Sequence, residues 1–297
     1  MKQHSYLPNS ANQFRVFEFT KFDSDEERLE ELKKISTNST GDFSDSSSQL
    51  NPISILELKQ VHGPKIWRTS ELRSNLEKSD VGIFKQSQVN VPSQTQENVL
   101  QVAEGDGWIL DSHSIAGIRT ADCMCVLVYS KTTSFVALLH AGWRGVKAGI
   151  VESAIEFYLE QSRENNVEDV VLEIFPSIHQ ESYEVGPEFL EYFGADASFR
   201  EHPVFLPSNR KEHYLFSMHF ALFTSLDRKF GIKKLILQNS EKTFSEKSDP
   251  EKSEKIFESS QGLEIFWRNT DTFISEEYYS ARRADVKRNY FYLVRSI

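Results

Sequence analysis

Cysteine is scarce in this chain: there are two in 297 residues, Cys123 and Cys125, separated by a single residue. Neighbours so placed on one strand have a poor geometry for a disulfide with ordinary bond angles, so a disulfide framework is excluded. Long apolar runs are also missing. No stretch approaches eighteen uninterrupted apolar residues and none precedes Phe14, so the chain is expected to be soluble and cytoplasmic, with no membrane partner. Positive charge is in deficit: 34 basic against 44 acidic side chains give a net charge of −10, which repels nucleic acid at long range. A phosphate-bearing ligand therefore needs a local basic pocket. Glycine-rich phosphate loops are absent after every apolar run, so a dinucleotide fold and a nucleoside triphosphatase lack their usual support. What the chain does have is hydrocarbon. Apolar residues make up 39% of it, with 22 Phe, 10 Tyr and 4 Trp, enough to offset the ordering entropy of a sizeable core.

Three tracts read as surface insertions: Thr37 to Ser48, Gln86 to Asn98 and Glu241 to Ser260, each rich in Ser, Gln or alternating charge. Helical spacing appears over Glu26 to Lys34, over Val146 to Gln161 with Val146, Ile150, Ala154 and Phe157 or Tyr158 on one stripe, and over His219 to Lys229. Apolar runs predict strands at 53–58, 108–110, 115–119, 124–129, 135–140, 170–175, 234–238 and 290–295. Strands and helices mix without strict alternation, which points to an α/β fold.

The densest chemistry lies between Thr120 and Gly145. Thr120-Ala121-Asp122-Cys123 leads into an apolar run, Ser130 to Thr133 breaks it, and a second run ends at His140-Ala141-Gly142-Trp143-Arg144-Gly145. This reads as a β-hairpin. A two-residue turn at Lys131-Thr132 would place Cys123 opposite His140, close enough for a thiolate and an imidazole to share one metal ion or one proton. A different loop length would change that register. A helix starting near Gly145 would bring free N–H groups to the pair, and Arg144 adds a planar fork suited to phosphate, although a solvated arginine and two turn glycines have the same sequence. His62, in Gln60-Val61-His62-Gly63 just past a strand, is a third candidate that spacing alone does not join to the hairpin. Cys125 is either a fourth ligand, which would close the site, or a small buried hydrophobe. Asp106 and Asp122 are candidates to orient histidines or to cap turns, and Trp108, Trp143 and Tyr183 to stack a flat ligand or fill the core.

Gln60-Val61-His62-Gly63, Glu104-Gly105-Asp106-Gly107-Trp108, Thr120-Ala121-Asp122-Cys123, His140-Ala141-Gly142-Trp143-Arg144-Gly145 and Ser182-Tyr183-Glu184-Val185-Gly186 occur in the order found in the laccase-domain proteins. Those proteins were formerly termed multicopper polyphenol oxidases and are now understood as purine nucleoside phosphorylases. The resemblance runs from about Ile53 to the C-terminus. It implies a single catalytic domain over residues 51–297 behind a variable N-terminal extension, residues 1–50, with its Ser-rich loop. The fold it implies is a mixed-sheet, four-layer α/β/β/α sandwich. It implies a Zn2+ site of His62, Cys123 and His140, phosphorolysis of adenosine, inosine, guanosine and methylthioadenosine, and adenosine deamination beside it. The partners are then a purine nucleoside and phosphate, with Arg144, Arg282, Arg283 and Asp106 as substrate or phosphate contacts. The chain departs from the family pattern at Phe175-Pro176-Ser177-Ile178-His179 and Ser182, where a Gly-Pro stretch and a cysteine are usual. It departs again at Phe216-Ser217, where an aspartate is often found, and at Ser280-Ala281-Arg282-Arg283-Ala284, which keeps two arginines without the tyrosine and aspartate that usually flank them.

Two other classes stay in view. A metal-free thiol hydrolase would use Cys123 as nucleophile and His140 as base. A binding protein that kept the fold and lost turnover is compatible with the altered C-terminal motif. A copper oxidase fits less well, because 8 histidines with no His-x-His pair supply few ligands.

Overall fold

The computed structural model describes residues 1–9, 12–38, 55–72, 99–111, 114–239 and 253–295. The apolar runs flanking the hairpin are continuous rather than alternating because both faces of their sheet are covered. On the strand Met124–Ser130, Met124, Val126 and Val128 belong to one core while Cys125 and Leu127 belong to another. That strand sits inside an eight-stranded mixed sheet ordered Ser253–Glu258, Ile232–Asn239, Leu263–Asn269, Val170–Ile174, Met124–Ser130, Val136–Ala141, Gly107–Ile109 and Ile66–Arg68. A six-stranded mixed sheet is ordered Lys2–Asn9, Asn12–Phe19, Asn289–Arg295, Ile115–Thr120, Ile55–Lys59 and Val99–Glu104.

Three cores account for every face. Phe14, Val16, Leu56, Ile118 and Phe291 of the smaller sheet meet Cys125, Leu127, Trp108 and Leu138 of the larger one. The other face of the larger sheet packs on the helices Ile150–Glu160 and Met218–Phe230. The other face of the smaller sheet, with Phe19, Ile55 and Tyr292, covers Leu32 and Ile35 of the helix Asp25–Asn38. The fold is therefore the expected α/β class with mixed sheets. Among the described residues no helix is long and apolar enough to cross a membrane.

Local sequence explains the helix starts. Ser24 accepts the Glu27 N–H at 3.1 Å while the Glu27 carboxylate accepts the Ser24 N–H at 2.8 Å, a reciprocal cap for Asp25–Asn38. Ser217 caps Met218–Phe230 by accepting the Phe220 N–H at 3.1 Å. The single helix expected over 146–161 is two, Trp143–Lys147 and Ile150–Glu160, broken at Gly149, whose φ of 75° is left-handed. Of the expected stripe, Val146, Ile150, Ala154 and Tyr158 are buried, and Phe157 is half-buried beside it.

Other expectations need correction. Within the expected N-terminal extension, Lys2–Asn9 and Asn12–Phe19 are strands of the smaller sheet, the second paired to Asn289–Arg295. The tract 241–260 was read as an insertion, but Ser253–Glu258 is a strand paired to Ile232–Asn239. The tract 86–98 and most of 37–48 lie outside the described residues.

Candidate metal centre and active site

Three chain segments bring their side chains to one point. His62 follows the strand Ile55–Lys59 in a loop where its φ is 61°. Cys123 stands just before Met124–Ser130, preceded by Asp122 at φ 86°. His140 is the penultimate residue of Val136–Ala141. The ligand atoms of His62, Cys123 and His140 all lie within 4.8 Å of one another, and the two imidazole rings meet edge to face with centroids 4.8 Å apart. Two of the five non-glycine residues at positive φ among the described residues, His62 and Asp122, thus supply or flank a ligand, a cost that surrounding contacts must hold in place.

Asp106 supplies most of those contacts. Its carboxylate accepts the His62 N–H at 2.9 Å, the Gly63 N–H at 2.8 Å and the Val61 N–H at 3.2 Å, and lies 2.8 Å from His140 Nδ1. The same side chain therefore fixes the His62 loop and leaves Nε2 as the free nitrogen of His140. Burial alone would raise the Asp106 carboxyl, but the His140 ring and the loop amides hold it below the usual carboxylate range. Asp106 is fully buried behind the cluster, against His140 and the His62 loop.

The thiol and the His140 imidazole are each biased toward the charged form. Burial opposes the Cys123 thiolate, yet hydrogen bonds from His140 and His62 lower its pKa to about 6. Burial likewise opposes the His140 imidazolium, while Asp106 and Cys123 raise its pKa to about 9. Cys125, by contrast, is fully buried in the intersheet core, and burial pushes its thiol well up. It is not part of the three-residue cluster and packs as a small hydrophobe.

The hairpin is present, but its register differs from the one expected. Cys125, not Cys123, pairs with His140, and Met124 pairs with Ala141. The turn holds four residues rather than two because the Ser130 hydroxyl accepts the N–H groups of Thr132 and Thr133, and the Lys131 N–H is anchored to the Asp169 carbonyl. The shift is two residues, so the face is preserved and Cys123 still reaches His140 from beyond the strand end. The following helix also begins earlier, at Trp143 rather than near Gly145, and has only five residues.

A cavity of 790 Å³ opens over the cluster and is lined by His62, Cys123, His140, Trp143, Arg144, Tyr183 and Arg282, among others. The Arg144 guanidinium lies 4.3 Å from the Trp143 ring, which in turn stacks on Tyr192. Arg282 lies over Tyr183 at 5.0 Å and donates to the Glu184 carbonyl at 2.6 Å. Asp122 joins that arginine to the cysteine turn: one carboxylate oxygen accepts the Arg282 N–H at 2.9 Å and the other the Thr272 hydroxyl at 2.8 Å. Burial, then the nearby Cys123, pushes the Tyr183 phenol up to about 12.

Arg283 does not line the cavity. Its guanidinium donates to the carbonyls of Thr272, Phe273, Ser275 and Tyr278 and pairs with Asp285 at 2.7 Å, so it clamps a loop instead of a ligand. Trp108 is wholly buried and donates to the Gly117 carbonyl at 3.0 Å, so it is core and no stacking platform. Sequence reading overlooked Gln60 and Arg119, which also line the cavity; Gln60 precedes His62 by two residues, the one signal that marked it.

A family model described as multi-copper polyphenol oxidoreductase laccase matches residues 22–249. The chain belongs to that family. Among curated relatives, a purine nucleoside phosphorylase of Aquifex aeolicus is 35% identical over 109 residues, which is 36% of this chain and 50% of that protein. The chain thus spans half the length of that relative. Purine nucleoside phosphorylase RC0672 of Rickettsia conorii is 25% identical over 186 residues, covering 62% of this chain and 71% of the relative. A protein named adenosine deaminase RL5, from an unknown prokaryotic organism, is 34% identical over 79 residues, 27% of this chain and 29% of its own length. The crystal structure of protein NMB0706 from Neisseria meningitidis superimposes with a TM-score of 0.60 at 14% identity, covering all of both chains, and supports the fold alone. The laccase family takes its descriptive name from several coppers. Among the described residues of this member, one group of three or more candidate ligands converges.

Proposed function

We propose that the chain is a zinc-dependent purine nucleoside phosphorylase that splits adenosine, inosine, guanosine and methylthioadenosine into free base and (methylthio)ribose 1-phosphate, with adenosine deamination as a side reaction. The observation that carries this reading is the convergence of His62, Cys123 and His140 on one point beneath a cavity that Arg144 and Arg282 also line. The names of the Aquifex, Rickettsia and RL5 relatives point the same way.

The donor set suits zinc. Two imidazoles and one thiolate would supply three of zinc's four usual ligands, and a thiol whose pKa is lowered to about 6 needs little free energy to give up its proton near neutral pH. Bound there, zinc would supply Lewis acidity and activate water at neutral pH. His62, Cys123 and His140 act as its ligands, and Asp106 holds His140 in the tautomer that leaves Nε2 free. Arg144 and Arg282 hold phosphate: each guanidinium is braced by an aromatic face, so little reorganisation is needed as charge develops. In phosphorolysis a phosphate oxygen bonds to C1′ as the C1′–N bond breaks and its electron pair leaves with the base. Tyr183, which lines the cavity, is the aromatic candidate for the purine, since the Trp143 ring is taken up by Arg144 and Tyr192.

A metal-free thiol reading draws on the lowered Cys123 thiol beside His140. One experiment decides between them. Purified protein is incubated with adenosine, with and without phosphate, products are separated by chromatography, and bound metal is measured by elemental analysis. Adenine and ribose 1-phosphate formed only with phosphate, in protein carrying about one zinc per chain, is the expected result. Activity that persists in metal-stripped protein and is lost on alkylation of Cys123 would overturn the zinc reading.

A further inference from the structure

We propose that the Tyr183 hydroxyl is a further catalytic group of this site, donating a hydrogen bond to N7 of the purine as the base departs. This role rests on the phosphorolysis reading above and places at the edge of the purine a side chain so far taken as a surface beside it.

Tyr183 stands on the cysteine side of the cavity. Asp122, the residue before Cys123, accepts the Ile178 N–H on its carbonyl at 2.9 Å and the Arg282 N–H on its carboxylate at 2.9 Å. The Arg282 guanidinium in turn donates at 2.6 Å to the carbonyl of Glu184, the residue after Tyr183, and lies 5.0 Å from the centre of the Tyr183 ring. One arginine therefore ties that ring to the turn that carries the thiolate. Besides burial, the charges that bear on the phenol are those of Cys123, Arg282, Asp122 and Arg144, with Cys123 foremost. The ring is also held from behind. It meets Phe216 and Phe189 edge to face, with centroids 5.7 and 6.4 Å away, and the Tyr183 carbonyl accepts the Phe216 N–H at 2.9 Å. Tyr183 lines the cavity, and among the described residues its hydroxyl makes no hydrogen bond.

Phosphorolysis puts charge in two places. Phosphate carries its charge throughout and suits the permanent forks of Arg144 and Arg282. The base gains an electron pair only as the C1′–N9 bond breaks, and a neutral donor aimed at it strengthens its bond with that charge. Outside the metal ligands, the other neutral donors lining the cavity are committed. Gln60 holds the Arg119 backbone through both ends of its amide, and Thr120 Oγ1 is sealed from solvent. The Trp143 ring is covered by Arg144 and Tyr192, and Tyr290 stacks on Tyr292 against Arg28. A phenol stays protonated at neutral pH, so Tyr183 is a donor before, during and after the reaction. N7 is the acceptor this placement favours. Deamination requires C6 at the metal ligands, and C6 and N7 share one edge of the purine, so a base presenting that edge to Cys123 presents N7 to the hydroxyl beside it. N3 lies under the sugar instead. Tyr183 keeps its proton over the turnover: a phosphate oxygen bonds to C1′, the electron pair of the C1′–N9 bond leaves on the base, and the base takes up, through water, the proton that hydrogen phosphate brought.

The test compares the zinc-loaded native chain with Tyr183→Phe, which keeps the ring and its contact with Arg282. The substrates are guanosine and 7-methylguanosine, whose base already carries the positive charge that a donor at N7 would help to supply. In Tyr183→Phe, kcat for guanosine should fall about 10²-fold, the loss typical of one donor to a developing charge, with KM for phosphate unchanged. For 7-methylguanosine, kcat should stay close to that of the native chain. Equal losses on the two nucleosides overturn the proposal, as does a loss that appears as a raised KM for phosphate, which would place the hydroxyl at the co-substrate. Metal content and melting temperature check folding. If Tyr183→Phe does not fold, calorimetry on the native chain decides: hypoxanthine should bind about fivefold more tightly than 7-deazahypoxanthine, as one hydrogen bond provides, and equal affinities overturn the donor role. Failure here is distinct from failure of the nucleoside reading. Phosphorolysis of guanosine with no discrimination at N7 sinks only the donor role, whereas a chain that releases no base from any nucleoside in the presence of phosphate sinks the reading on which it rests.

Discussion

A methyl group added to Gly142 would lie 2.9 Å from Cys123 Sγ and 3.3 Å from His62 Cδ2, closer than either neighbour tolerates. The backbone of Gly142 is ordinary, with φ −75°, so the demand is for space and not for a special dihedral. Gly142→Ala should therefore fold with near-native circular dichroism and lose about tenfold or more in metal affinity, a cost typical of displaced ligands; chelator competition measures it. The thiol gives a second test. In metal-stripped protein, alkylation of Cys123 should rise with pH about a midpoint near 6, because the reactive thiolate forms above that value, whereas an ordinary thiol would require about pH 8.5. Peptide mapping should find Cys125 unmodified across the same range, since it is sealed in the intersheet core.

At the scale of elements, the two sheets are joined by charge as well as hydrocarbon. Arg268 of Leu263–Asn269 pairs with Glu173 of Val170–Ile174, and the two share hydrogen bonds with Tyr6 and His4 of the first strand, all in buried surroundings. Glu173→Ala would leave the buried arginine with Glu18, at 3.9 Å, in place of its close partner and should cost about 3 kcal/mol, read from urea denaturation. This network also explains which elements were hard to foresee. Met124–Ser130 and Val136–Ala141 announce themselves as apolar runs, but Lys2–Asn9, Asn12–Phe19 and Leu263–Asn269 interleave His4, Glu18 and Arg268 with apolar residues and look solvent-facing until their partners are known. The hairpin register was hidden for a similar reason, since its loop length depends on a tertiary anchor, Lys131 N–H to the Asp169 carbonyl. Motif residues were legible where chemistry demands a side-chain type, as at His62, Cys123 and His140. They misled where a charge serves the fold, as at Arg283 with its ring of loop carbonyls.

For the whole molecule, chain ends and centre are mutually dependent. The strand Asn12–Phe19 lies against Asn289–Arg295, which lies in turn against Ile115–Thr120, the strand that leads to Cys123. Removing residues 1–19 would bare an apolar strand edge and the Glu173–Arg268 pair, so the truncated chain should lose cooperative thermal unfolding and aggregate, as scanning calorimetry and light scattering would record. The left-handed backbone of His62 has a wider consequence. Glycine would adopt that conformation without the roughly 1 kcal/mol or more that a β-carbon costs there, so His62→Gly should melt no lower than the native chain, measured with both proteins free of metal, while being unable to retain the ion. Selection for thermal robustness and selection for catalysis would then pull this one position in opposite directions, and a histidine kept against that pull is a residue held by its chemistry.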